Sequence, residues 1–169
     1  LLLDESWNQI ARGHVDIRQY YPKAGWVEHD PIEIYDSLLE AAVQALRSAG
    51  ASAREVRCIG LDNQGETIVF WDKQSGDPVY PAIVWQDRRT AAEVDRLNRQ
   101  YGPVFQKSTG LKLDSYFGAS KIRWVLQHVP RAQELLAQHR LAAGTTDSWM
   151  IWKLTNGKEF VTDCVTASR

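Results

Sequence analysis

Two short segments hold most of the chemistry open to this sequence. Asp62-Asn63-Gln64-Gly65-Glu66 crowds carboxylates and amides together, and Trp85-Gln86-Asp87-Arg88-Arg89 sets an indole beside an acid and two guanidinium groups. Carboxylates and amides exchange hydrogen bonds with vicinal hydroxyls, while an indole face packs on the C–H side of a polyol. The combination suits a sugar or polyol pocket. A plainer reading stands beside it: two polar loops, with Asp87 capping the helix that follows.

Other chemistries lack their residues. There is no Gly-rich P-loop ending in Lys-Ser/Thr, no dinucleotide fingerprint, no Gly-x-Ser-x-Gly and no His-Glu-x-x-His. His14, His29, His128 and His139 are scattered as surface or capping residues are. Cys58 and Cys164 stand far apart, so no disulfide framework or zinc site is expected, and a reduced, cytoplasmic setting is. Lys plus Arg at 20 against Asp plus Glu at 21 gives no charge excess to attract nucleic acid or a membrane surface. No apolar run approaches the ~18 residues of a membrane span. Seven Trp and six Tyr against four Phe favour rings with polar edges, which serve a hydroxylated ligand or simply a Trp-rich core.

The elements that must position these residues follow from turn and period signals. Leu1–Leu3 and Gln9–Tyr20 read as strands around a turn at Asp4–Asn8. Asp30-Pro31-Ile32-Glu33 opens a helix, as a cap, a first-turn proline and a capping-box glutamate. Its buried stripe is expected at Tyr35, Leu38, Leu39, Ala42, Val43 and Leu46, with Gly50 ending it. Val56–Leu61 reads as a buried strand that delivers the first polar segment. Thr67–Trp71 and Val79–Trp85 read as a hairpin about Lys73–Gly76 that delivers the second. Thr90…Glu93 forms another capping box, opening a helix with Ala91, Val94, Leu97 and Tyr101 on one side. Helices are expected at Tyr116–Val129, Arg131–Gln138 and Asp147–Leu154. Such an alternation predicts an α/β layered domain with a mixed sheet, and a chain of 169 residues is long enough for one core.

Several longer strings are less anonymous. Tyr21-Pro22-Lys23-Ala24-Gly25-Trp26-Val27-Glu28-His29-Asp30-Pro31, Asn63-Gln64-Gly65-Glu66-Thr67 and Val84-Trp85-Gln86-Asp87-Arg88-Arg89-Thr90 come first. Thr109-Gly110-Leu111 with Tyr116-Phe117, Lys121 and Trp124, then Gly144-Thr145-Thr146-Asp147-Ser148-Trp149, then Thr162-Asp163 with Ala167-Ser168-Arg169 complete the set. In this order and spacing they resemble the FGGY carbohydrate kinases, and within them the branch that phosphorylates glycerol.

The resemblance implies a ribonuclease-H-like, actin-like ATPase fold of two domains closing over a cleft, the first holding the polyol and the second ATP with Mg2+. Residues 1–169 would be a single domain, most of the first. Its first strand with the phosphate loop, the ATP domain and the general-base Asp would lie outside the chain, so the chain alone would not turn over. It also implies that Glu66 accepts hydroxyl hydrogen bonds, that Trp85 packs on the carbon skeleton and that Tyr116 donates to a hydroxyl, with Gln64 and Asp87 beside them. The expected partners are a small polyol or sugar and the C-terminal domain of the same protein. An apolar face awaiting that domain predicts oligomerisation, as a homo-oligomer, or aggregation. Gly65 stands where the family has Arg, which removes a multi-donor cation. Asp87 stands where an uncharged residue is commoner. These departures keep a second acceptor class in view, such as a ketopentose or a tetritol, and a third reading is a non-enzymatic carbohydrate-binding module.

Overall fold

The computed structural model describes residues 1–168. In chain order the strands are β1 (Leu2–Leu3), β2 (Gln9–Ala11), β3 (Glu28–His29), β4 (Ile68–Asp72), β5 (Pro78–Ile83) and β6 (Leu141–Thr145). The helices are α1 (Pro31–Ala49), α2 (Ala91–Thr109), α3 (Gly118–His128), α4 (Pro130–Ala137) and α5 (Thr146–Leu154). The predicted hairpin is the centre of the molecule: β4 and β5 run antiparallel, with Gly76 at φ 77° in the turn between them. The main sheet has the order β3-β5-β4-β6, while β1 and β2 make a separate two-stranded ribbon. Every described pairing is antiparallel, so the sheet is not the mixed one expected.

Strand β4 explains the layering. Side chains alternate across a strand. Val69 and Trp71 therefore face one layer, with Ile34 of α1 and Trp149 and Met150 of α5. Ile68 and Phe70 face the other, with Val125 of α3 and Ala132 of α4. Trp71 and Trp149 are fully buried, so the plain core reading accounts for much of the tryptophan content.

Several boundaries differ from expectation for identifiable reasons. Val56–Leu61 forms no strand; no described strand lies beside it to bond its backbone, and Ile59 is 66% exposed. The second strand stops at Ala11, and only a single bridge, Tyr20 to Glu28, follows. Helix α1 is capped as predicted, Ile32 N–H donating to Asp30 Oδ1 at 2.7 Å, and it ends at Gly50 with φ 64°. It is rotated, however: Ile34 and Ala45 are buried while Leu39 and Val43 are exposed. Neither predicted capping box closes, because tertiary partners take the side chains. Glu33 accepts from the Tyr20 hydroxyl at 2.7 Å, Thr90 Oγ1 pairs with Ser120 Oγ at 2.9 Å, and Glu93 reaches Arg123 at 3.1 Å. Strand β6 went unpredicted because alanine and glycine are poor strand formers. Gly144 is needed there, since a Cβ would stand 2.9 Å from Ser148 Cβ.

Candidate functional site

The pairing of β4 with β5 builds the site. Ile68 lies opposite Ile83, so the residues entering β4 and those leaving β5 emerge together at one end of the sheet. The Thr67 hydroxyl joins them, accepting from the Trp85 N–H at 3.2 Å and donating to Gln64 Oε1 at 2.9 Å. The loop before α3 adds Tyr116, whose ring meets Trp85 edge-on, centroids 5.8 Å apart at 73°. Both rings keep accessible surface, Trp85 40% and Tyr116 36%.

Beneath them lies Lys121, a fully buried cation in the first turn of α3. Its Nζ donates to the carbonyl oxygens of Glu66, at 2.8 Å, and Tyr116, at 2.5 Å. The structure thus gathers Gln64, Glu66, Trp85 and Tyr116 into one network. Burial lowers the Lys121 amine to about 8, with the charges of Asp87, Glu66 and Asp114 pulling the other way. The folded chain therefore releases this proton near pH 8, whereas the unfolded chain holds it to about 10.4. Between those values the unfolded state binds more protons, and stability rises with pH. In chemical denaturation at pH 7.5 and 9.5, wild type should gain on a Lys121→Met variant at the higher pH; a flat difference would contradict the assignment.

Asp87 is placed apart from the others. It is 2% exposed, and its oxygens accept from the Val27 N–H at 2.6 Å and from Arg89 at 2.8 and 2.9 Å. It holds the loop that carries Trp85. Arg89 in turn bonds Glu28 at 2.8 Å and the Tyr80 hydroxyl at 3.1 Å, 3.9 Å from the Trp26 ring centroid and 4.8 Å from that of Trp124. Desolvation pulls this guanidinium down, but hydrogen bonds to Asp87 and Glu28 hold it above its usual value.

Sequence reasoning gave Lys121, Arg89 and Thr67 no role. A signal existed for Lys121: it lies four residues before Val125, on the buried face of a helix. The Thr145–Thr146–Asp147 motif also turns inward. Asp147 accepts from Thr145 and Thr162, and Thr146 donates to Asn63 at 3.0 Å, which fastens α5 to the first polar segment. Arg169, the last residue of the final motif, lies outside the described residues. A cleft of about 420 Å³, lined by Lys73, Trp152 and Lys153 among others, sits at the far end of β4 and shares no residue with the site. Among the described residues no three His, Cys, Asp or Glu side chains gather as a metal-binding group, and no helix is long and apolar enough to cross a membrane. Cys58 and Cys164 are free thiols.

An antiparallel sheet between helical layers, with Glu66, Trp85 and Tyr116 carried by the loops at one end, makes this an α/β domain. Known proteins give that class its family. Residues 1–169 match the FGGY family of carbohydrate kinases, N-terminal domain, and the chain belongs to that family. It is 49% identical over its whole length to a glycerol kinase of Sinorhizobium fredii, of which it covers 34%. It is 53% identical over 91% of its length to one of Koribacter versatilis, of which it covers 31%. The crystal structure of Plasmodium falciparum glycerol kinase with ADP superimposes with a TM-score of 0.90 at 34% identity, over 99% of this chain and 33% of that one. A gluconate kinase from Lactobacillus acidophilus, 18% identical with a TM-score of 0.75, shares the fold. The chain thus spans about a third of the length of the curated relatives it matches.

Proposed function

We propose that this chain is the acceptor-holding part of an ATP-dependent kinase that phosphorylates a primary hydroxyl of glycerol or a related polyol. The observation that carries this reading is the joining of Glu66, Trp85 and Tyr116 through Lys121 and the paired rings. Glu66 accepts from acceptor hydroxyls, the Trp85 face covers the carbon chain, and the Tyr116 hydroxyl donates to a further oxygen. Gln64, tied to Thr67, holds the loop that presents Glu66. Asp87 acts from behind, through the Trp85 loop. Phosphoryl transfer depends mainly on positioning and on stabilising charge, and this half contributes positioning. The nucleotide and Mg2+ belong to other parts of the protein, together with the base that takes the hydroxyl proton, and the C-terminal domain is the partner that completes the cleft.

One feature favours a second acceptor class. Among the described residues, a Cβ at Gly65 would meet only the Thr166 Cγ2 atom, at an ordinary 3.7 Å, which leaves room beside Glu66. A larger acceptor, such as a ketopentose or a tetritol, suits that room. Membership in a kinase family favours both readings over a binding module without activity. A coupled assay of the full-length protein over glycerol, tetritols, ketopentoses and aldoses should show ATP-dependent turnover with a small polyol. Turnover of a ketopentose without glycerol would select the second class, and no turnover with any of them would overturn both.

A further inference from the structure

Lys121 is more deeply buried than any group proposed to touch the acceptor. A lysine is almost never fully enclosed unless its charge is answered, and removing its water costs several kcal/mol before any bond is made. Here the partners are two main-chain carbonyls, Glu66 O and Tyr116 O, which lie in segments fifty residues apart in the chain. Neither carbonyl can touch an acceptor through its own side chain, yet each belongs to a residue whose side chain does so in the reading above. The ammonium also sits in the field of Asp87, a carboxylate that holds the Trp85 loop through Val27 and Arg89. Two arms of the site, those of Glu66 and Tyr116, therefore converge on one side chain.

We propose that Lys121 is a positioning residue of the acceptor site, setting the spacing between the Glu66 carboxylate and the Tyr116 phenol through their carbonyl oxygens. The proposal rests on the reading of Glu66, Trp85 and Tyr116 as acceptor ligands. Clamping both backbones to one Nζ fixes the separation of the two side chains before any ligand arrives. Without that clamp each loop finds its own place, and an error near 1 Å costs about 100-fold in rate where geometry is critical.

The test uses the full-length kinase with its best acceptor and compares Lys121→Met, Lys121→Gln, Glu66→Gln and Tyr116→Phe. Lys121→Met keeps the apolar stem and removes every donor. Its KM for the acceptor should rise about tenfold while its KM for ATP stays within twofold, in protein that melts cooperatively. Lys121→Gln keeps an N–H donor pair and should recover part of the loss. Combining Lys121→Met with Tyr116→Phe should cost less than the sum of the two, because a misplaced phenol has less to lose. A folded Lys121→Met enzyme with unchanged acceptor KM, alongside impaired Glu66→Gln and Tyr116→Phe enzymes, overturns the proposal and leaves the site reading intact. Unimpaired Glu66→Gln and Tyr116→Phe enzymes overturn the site reading itself. If neither Lys121 variant folds, the residue belongs to the scaffold alone and the proposal is wrong.

Discussion

Replacing Arg89 with methionine should lower the stability of the chain by about 3–5 kcal/mol, the cost typical of removing one partner from a buried ion pair. The guanidinium is enclosed on every side; it sits 3.9 Å from the Trp26 ring centroid and 4.8 Å from that of Trp124. It answers two carboxylates that are themselves nearly inaccessible, Glu28 and Asp87. Methionine fills much of the space but leaves both acids without their cation, and a buried carboxylate in that condition is the expensive species. Arg89→Lys should fall between, since an ammonium restores charge but not the planar fork that reaches Asp87, Glu28 and Tyr80 together. Equilibrium denaturation of the three proteins measures the difference. A loss below about 1 kcal/mol for Arg89→Met would show that the cluster is neutralised in some other way.

If the full-length protein is the kinase proposed above, Glu66→Gln should reduce its kcat/KM for the acceptor by about 100-fold. A hydrogen bond to a charged group contributes roughly 1.5–3 kcal/mol, and the carboxylate is the one charged acceptor assigned to the ligand. Tyr116→Phe removes a neutral donor and should cost about tenfold on the same scale. KM for ATP should hardly move in either, because the proposed function assigns the nucleotide to other parts of the protein. Steady-state kinetics with each substrate varied in turn provide the check. If both variants stay within twofold of wild type for the acceptor, the ligand does not lie against these side chains.

What was legible in the sequence was local. The hairpin about Gly76, the Asp30 cap and the fourth helix, expected from Arg131 and found from Pro130, depend on one or two residues whose backbone preferences are strong. Strands β3 and β6 were not, because a two-residue strand and an Ala-Gly strand are defined by their neighbours rather than their own composition. Val56–Leu61 shows the converse: a strand-like sequence stays unpaired when nothing lies beside it. The candidate site divides the same way. Glu66 and Trp85 fall in the two polar segments read as a possible polyol pocket, Tyr116 entered only through the family resemblance, and β4, β5 and the loop before α3 bring the three segments together. Lys121 did not announce itself, since a lysine is by default a surface residue and only its spacing from Val125 points inward. Asp87 reads alike from sequence whether it faces a ligand or a backbone N–H, and here it meets Val27.

Strand β4 has both edges occupied, by β5 and β6, and all five of its residues are buried. Its amide protons should therefore be among the slowest in the domain to exchange with solvent. Thr67, one residue upstream, marks where that slow-exchanging backbone gives way to the loop bearing Glu66. A site seated on such a boundary has a stationary floor and adjustable walls, so a second domain closing over it would displace loops and leave the sheet where it stands.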